Sequence, residues 1–239
     1  RGKRMRQEAY FCTVKELDEL GKNNIPRQLI SHTHLIYSSP ATLAFNSPGA
    51  EGFGVKRAGL AVPDSVMLIV SPGCCGRNTS VLSSMRAYQD RFYYLLMDET
   101  DIVTGRHLKK IPKAVAEICE GLKKKPSVVM ICITCVDALL GTDMERVCHK
   151  AEEYAGVPVR PCYMYALTRE GRKPPMVHVR QSLYSLLEPK KKKGNVVNLL
   201  GYFSPLVDDC ELYDLLHEAG VKTIHEISRC RDYAEYQTM

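Results

Sequence analysis

Two stretches without a charged or strongly polar side chain, Val66–Val70 and Val128–Ile133, most constrain how this chain folds. A strand with water on one face alternates apolar and polar residues. A continuous Val/Ile/Leu/Met run instead implies a strand covered on both faces, as in parallel sheets with helices above and below. The segments around these runs alternate accordingly. Apolar groups at helical spacing over residues 7–20, ending at Gly21, predict a helix, and the Pro/Ser/Gly-rich stretch Ser38–Gly54 predicts a loop. Thr79–Arg91 reads as a helix and Phe92–Met97 as a strand. Thr104–Lys124 reads as a long helix with Leu108, Ile111, Val115, Ile118 and Leu122 on one face, ended by Pro126. Asp143–Ala155 is a helix stopped by Gly156, followed by strand Val157–Met164 and helix Met176–Leu187. After Pro189–Asn195, strand Val196–Tyr202, helix Asp209–Ala219 and strand Lys222–Ile227 follow.

Strands alternating with helices imply parallel βαβ units. The expected fold class is α/β: a Rossmann-like doubly wound parallel sheet followed by the start of a second Rossmann-like domain. The polar, charged stretch Pro189–Asn195 sets the boundary, giving a first domain over 1–189 and a linker with a partial second domain over 190–239. Two strands and one helix are too little to close an independent sheet. The chain is therefore expected to be a piece of a longer protein or to complete that sheet on a partner.

Length and composition narrow the function classes. At 239 residues, 45% hydrophobic and 25% charged, the chain is long enough for a well-buried core. No apolar run approaches a bilayer span. The basic N-terminus, Arg1–Gln7, has no apolar core behind it and is not a secretory signal. The net charge of +6 owes much to Lys123–Lys125 and Lys190–Lys193, both followed by Pro or Gly. Without interleaved aromatics or a binding motif these read as solvated linkers, so neither nucleic acid nor membrane is an expected partner. Ten cysteines without an export signal argue against a disulfide framework and for a reducing, cytoplasmic setting. Cys12, Cys119, Cys148, Cys210 and Cys230 sit singly and read as small apolar side chains.

The chemistry-bearing feature is Ser71-Pro72-Gly73-Cys74-Cys75-Gly76 together with Thr134-Cys135. Each follows an apolar strand, and strand ends of an open α/β sheet converge on the edge where ligands bind. Adjacent side chains diverge, so one of Cys74 and Cys75 is the candidate ligand. In Cys132-Ile133-Thr134-Cys135, a strand would turn Cys132 and Cys135 opposite ways, leaving Cys135 as the thiol at the tip. Four readings stay open on the residues alone. They are a thioredoxin-like redox pair, a zinc site, cysteines that merely pack, and thiolate ligands to an iron–sulfur cluster. The first wants its C-x-x-C to open a helix, whereas a fresh helix start is expected near Asp143. Zinc wants four ligands in two close pairs, and only one pair is present. A cubane cluster wants four thiolates, and Cys75 with Cys135 supplies half, so a second subunit would complete the set.

Four segments in order resemble the nitrogenase component 1 family. Val66–Gly76 is similar to its G-P-x-G-C segment and Leu96–Gly105 to the stretch before its long helix. Thr134–Asp143 is similar to its T-C…I-G-D-D segment. Gly156–Val159 with the Met176–Leu187 helix and Asn195–Gly201 continues the order. The resemblance covers roughly residues 60–230. The family contains nitrogenase subunits, their cofactor scaffolds, and nitrogenase-like tetrapyrrole and methylthio-alkane reductases. The resemblance implies three Rossmann-like domains and a homodimer or a paralogous second subunit. It also implies an interface iron–sulfur cluster fed by a separate ATP-dependent iron-protein reductase. This chain has no G-x-x-x-x-G-K-[ST] phosphate loop, so ATP chemistry would come from that partner. Carried over, Cys75 and Cys135 are metal ligands.

Nitrogenase subunits carry a further ligand cysteine upstream, where Asn46–Gly52 here has none. That favours a single [4Fe–4S] cluster over the larger nitrogenase one, with Cys74 or Glu51 as the substitute ligand. The implied function is a subunit of a nitrogenase-like oxidoreductase that relays electrons to a substrate or cofactor bound between domains. A non-catalytic scaffold for cofactor assembly and a cluster-less interaction module are the alternatives. His178 and Arg180 are implied to face an interdomain cleft, whereas His32 and His34 read as ordinary loop histidines.

Overall fold

The structure, a computed structural model, describes residues 12–21, 23–26, 58–73, 88–163, 175–188, 194–200, 203 and 205–239. The chain divides into two compact units, Arg1–Phe45 and Asn46–Met239.

In the first unit, helix α1 runs Val14–Leu20 and ends at Gly21. Its start is later than the apolar spacing suggests, because Thr13 is extended and closes a capping box. Its hydroxyl accepts from Glu16 N, and its own N–H donates to the Glu16 carboxylate at 2.7 Å. The earlier part of the expected helix, 7–11, lies outside the described residues, as do the 38–54 loop, His32, His34 and Glu51.

The second unit is built on a sheet of β1 (Val66–Ser71), β2 (Phe92–Leu96), β3 (Val129–Ile133) and β4 (Val159–Tyr163). All pairs are parallel and the order is β2-β1-β3-β4. Every residue of β1 and β3 is buried, as their uninterrupted apolar sequences require. Helices α2 (Glu99–Thr104) and α3 (Arg106–Gly121) connect β2 to β3, and α4 (Cys135–Leu140) and α5 (Met144–Ala155) connect β3 to β4. Alternate strand residues feed two separate cores. Val66, Leu68, Val70, Val129, Ile131 and Ile133 pack with Ile111, Val115 and Ile118 of α3 and Met144, Cys148 and Ala151 of α5. Met67, Ile69, Met130, Cys132 and Cys162 pack on the other side with Val179 and Leu183 of α6 (Pro175–Tyr184). The sheet is therefore covered on both faces, and the expected α/β fold is the one observed.

Helix boundaries show where backbone chemistry overrides apolar spacing. The helix expected over Thr104–Lys124 is two helices, because Gly105 takes a left-handed φ of 64° between α2 and α3. Asp98 closes a capping box with Asp101, which starts α2 at Glu99. Pro112 lies inside α3. A proline there costs about 3 kcal/mol, but Ile111 and Val115 are fully buried and Ile118 nearly so, each contributing about 1.5–3 kcal/mol. Burial wins. Helix α5 begins after Asp143, whose carboxylate accepts from Arg146 N at 3.1 Å, and ends at left-handed Gly156. Of the helix expected over Thr79–Arg91, residues 79–87 lie outside the described residues. The rest, through Asp90 at φ 59°, is a turn. Arg91 clamps that turn by donating to the Leu60 and Ser65 carbonyls, and burial lowers its pKa.

Towards the C-terminus, β5 (Val196–Leu199) and β6 (Thr223–Glu226) form a two-stranded parallel sheet joined through α7 (Glu211–Glu218). A short 3-10 turn, Ile227–Arg229, and helix α8 (Tyr233–Gln237) follow. This tail returns to the main sheet. Ile227 and Tyr236 are buried in the core beneath α6, and Tyr236 Oη donates to the Leu183 carbonyl at 2.6 Å.

Candidate functional site

The strand order places the reversal of sheet direction between β1 and β3, whose chain-crossings leave in opposite senses. In open α/β sheets ligands bind outside the carboxyl ends of the strands at that switch point. Val70 pairs with Ile133 in the β1–β3 register, so Ser71 and Thr134 stand at the next rung, on the rim. Pro72 and Gly73 continue the chain from β1. Cys74 and Cys75 lie outside the described residues. Cys135 follows Thr134 directly and is the first residue of α4, and its side chain is likewise not among those described.

Cys135 therefore opens a helix, contrary to the helix start expected only near Asp143. Its C-x-x-C partner Cys132 is nevertheless interior to β3 and fully buried. A thioredoxin-like pair, with both thiols at a helix start, does not match this placement. Cys162 is the register partner of Cys132 and shares its core. Cys148 is buried between α5 and the sheet, and burial drives its pKa far up. Cys230 is pushed up to about 11, by burial first and then by Glu235 and Asp232. Cys148 and Cys230 behave as the packing residues that their isolated sequence positions suggest, and Cys132 is the core residue expected of its place in the strand.

A buried polar network surrounds the rim, and sequence reasoning did not assemble it. Asp101 is buried in α2, and its carboxylate accepts from Arg106 Nε at 2.6 Å and Lys110 Nζ at 2.8 Å. The bonds from Lys110 and Arg106 hold its pKa far below the usual carboxylate range. Two residues after Gly105, His107 turns inward and is 1% exposed. Its Nδ1 lies 2.9 Å from the Asp101 carbonyl oxygen, and its Nε2 lies 2.9 Å from Oδ1 of Asp137 in α4. A carbonyl can only accept, so Nδ1 is the donor there. Nε2 is left to share a proton with the Asp137 carboxylate. Thr142 Oγ1 also donates to Asp137 Oδ1, at 3.1 Å.

Three further atoms are on the residues ending β1 and β3 and on α4: Ser71 Oγ, Thr134 Oγ1 and Asp137 Oδ2. All are buried and have no hydrogen-bond partner. A buried polar group without a partner costs about 1–3 kcal/mol, and Ser71 and Thr134 carry two such groups at neighbouring strand ends. The two hydroxyls are donors with no acceptor. Thiolate and cluster sulfur accept hydrogen bonds, and such bonds help set cluster potentials. The two hydroxyls would suit an iron–sulfur cluster, whose thiolates Cys135 and the cysteines after Gly73 would have to supply.

His178 and Arg180 sit elsewhere. His178 meets Tyr163 edge-on, with ring centroids 4.9 Å apart. It lines a cleft of about 390 Å³ between α5, β4 and α6, with Glu145, His149, Glu152 and Arg160. Arg180 stacks over Phe203 at 5.9 Å. Since Tyr163 pairs with Ile133, this cleft is one strand outward from the β1–β3 rim. No helix among the described residues is long and apolar enough to cross a membrane.

The fold and rim define an open, doubly covered α/β domain of Rossmann type with its ligand edge between β1 and β3. More particularly, the chain belongs to the nitrogenase component 1 type oxidoreductase family, whose pattern matches residues 51–239. It is 28% identical over 176 residues to the nitrogenase iron-molybdenum cofactor biosynthesis protein NifE of Rhizobium meliloti (strain 1021), covering 71% of this chain and 37% of that protein. It is 27% identical over 213 residues to NifE of Klebsiella pneumoniae, covering 80% of this chain and 46% of the relative. Among solved structures, nitrogenase Cp1 at pH 6.5 superposes with a TM-score of 0.60 at 18% identity, over 83% of this chain and 43% of that one. That likeness is one of fold. The chain spans less than half the length of each of these relatives.

Proposed function

We propose that this chain is the cluster-bearing part of a nitrogenase-like subunit, with Cys75 and Cys135 as metal ligands at the β1–β3 rim and Cys74 as the candidate substitute ligand. A thiolate-held [4Fe–4S] cluster would supply one-electron chemistry there. The observation that carries the reading is the rim itself: β1 and β3, the strands that precede Cys74–Cys75 and Cys135 in the chain, end side by side at the sheet's switch point, where the Ser71 and Thr134 hydroxyls are buried without acceptors. In this reading residues 1–189 are the first Rossmann-like domain and 190–239 the start of the second.

Two thiolates are half a set, so a homodimeric copy or a paralogous subunit would supply the rest. Large apolar side chains on the elements around the rim support such a contact. Leu96 is 60% exposed, Val103 84%, Leu139 70% and Leu140 51%. Electrons would arrive from an ATP-dependent iron-protein reductase and pass to a substrate or cofactor between domains.

The NifE relatives, named for iron–molybdenum cofactor biosynthesis, favour a second reading: a scaffold that holds a metal cluster during assembly rather than turning over a substrate. Both readings put iron at the rim. Anaerobic purification, iron and sulfide analysis and low-temperature EPR test that shared claim. Cys135→Ala is expected to remove the cluster signal without unfolding the chain, the melting temperatures of the metal-free proteins matching, and an unaltered cluster overturns the ligand assignment. Reductant- and ATP-dependent substrate turnover by the purified complex separates relay from scaffold.

A further inference from the structure

We propose that His107 is a positioning residue that fixes the turn carrying Cys135, acting through Asp137. The inference rests on the reading that Cys135 holds a metal cluster, but the contact itself does not.

Helix α4 has little of its own to hold it. It is six residues long, far below the length at which a helix persists unaided. Thr134, at the position before it, leaves its hydroxyl unpartnered rather than capping the first turn. Leu139 and Leu140 at its far end are exposed. Among its described side chains, those that tie the helix down are Val136, packed on the core, and Asp137. The Asp137 carboxylate meets His107 Nε2 at 2.9 Å and Thr142 Oγ1 at 3.1 Å, while its carbonyl accepts from Thr142 N at 3.1 Å. Asp137 is two residues from Cys135, so fixing it fixes the rotation and height of that turn on the rim.

His107 is itself held from behind. Its Nδ1 is bonded to the Asp101 carbonyl, and Asp101 is anchored by Arg106, Lys110 and the Asp98 capping box. The elbow at Gly105 between α2 and α3 is thereby joined to α4 through buried groups. The sheet alone does not make this connection, because β2 and β3 lie on opposite sides of β1.

Two near-isosteric substitutions divide the contact. In His107→Gln the side-chain amide nitrogen can take the place of Nε2 and keep the bond to Asp137. In His107→Asn it can replace only Nδ1, keeping the Asp101 carbonyl and losing Asp137. Thr142→Val loosens Asp137 from its exposed side without touching His107.

The measurements are backbone hydrogen exchange over residues 134–142 in the metal-free chain, and iron per chain after anaerobic reconstitution, with the melting temperature of each variant recorded. Losing a hydrogen bond to a charged group should speed exchange in this segment about tenfold in His107→Asn. The variant should also retain half or less of the wild-type iron. His107→Gln should restore both, and Thr142→Val should speed exchange to a smaller extent. Wild-type exchange and iron in His107→Asn overturn the proposal, as does recovery by Asn but not by Gln. Iron-free wild type after reconstitution would overturn the cluster reading instead, while the exchange comparison still decides the contact.

Discussion

Replacing Thr134 by Val separates a rim built to hold a group from a rim that is merely packed. The Thr134 hydroxyl is buried at the end of β3 and has no hydrogen-bond partner, and it does not cap α4. Valine keeps the β-branched shape and substitutes a methyl for the hydroxyl. The variant therefore opens no cavity and removes a desolvation penalty of about 1–3 kcal/mol. Allowing for partial relaxation around the hydroxyl, the metal-free variant should be more stable than wild type by about 1–2 kcal/mol, a rise of about 2–8 °C in melting temperature for a chain of this size. Urea unfolding of the metal-free chains under anaerobic conditions measures this, with an unchanged slope confirming that the unfolded states match. Reconstituted with iron and sulfide, the order should reverse, because only wild type gains an O–H···S bond; the variant should release iron about fivefold faster, the equivalent of one modest hydrogen bond. A metal-free Thr134→Val chain less stable than wild type by about 1 kcal/mol or more would show that the hydroxyl is already satisfied, and the argument from orphaned rim atoms would fail. Gains in stability at the expense of binding are the pattern expected where a site holds unsatisfied groups in readiness.

The depressed pKa of Asp101, caused first by Lys110 and then by Arg106, makes stability acid-sensitive. Because the folded-state value lies below the ordinary 3.8, its contribution is complete above that pH and is lost as pH falls through the folded value. Asp101→Asn should flatten the loss of stability below about pH 4, and an unaltered acid limb in pH-dependent unfolding would contradict the assigned partners. Cys230, pushed up from 9.0 to about 11, should react with iodoacetamide at pH 8 about a hundredfold more slowly in the native chain than in urea, since the thiolate is the nucleophile. Cys148, buried and shifted further, should stay unlabelled until the chain unfolds. Peptide mapping of the alkylated protein reads both, and rapid native labelling of Cys148 would refute its burial.

The sheet was legible in the sequence because its signal is local. Val66–Val70 and Val128–Ile133 lack polar interruptions for the same reason they are buried: each is interior to the sheet and covered on both faces. The helix boundaries were less legible. Gly105 sits in a run whose apolar spacing continues across it, and only its left-handed φ reveals two helices. The Asp98–Asp101 capping box carries a sequence signature, D-x-x-D, that points to a helix start at Glu99 rather than Thr104. The return of Tyr236 to the Leu183 carbonyl had no local signal, because it joins residues far apart in the chain.

The site divides along the same line. That the ends of β1 and β3 meet at one rim follows from parallel strands and their order, so the neighbourhood of Cys135 was readable from pattern alone. The network beside it was not, although Asp101, Asp137 and Thr142 lie inside two of the motif segments. His107 reaches Asp137 only because α3 starts at Arg106, immediately after the Gly105 elbow. Read as one helix from Thr104, the same histidine is an ordinary position on a long face. Several buried polar side chains in this fold find partners nearby, although Ser228 Oγ does not. Ser182 donates to the Pro161 carbonyl at 2.7 Å, Ser65 to the Val62 carbonyl at 2.8 Å, and Glu226 accepts from Leu206 N at 3.2 Å. Ser71 and Thr134, where β1 and β3 end, depart from that pattern side by side, and Asp137 Oδ2 in α4 departs from it as well. Packing alone gives no reason for two unsatisfied hydroxyls at neighbouring strand ends, since Ala or Val would fill the same space without the desolvation penalty. Retaining them at one rim is the arrangement expected of a surface whose hydrogen-bond partner arrives with a bound group.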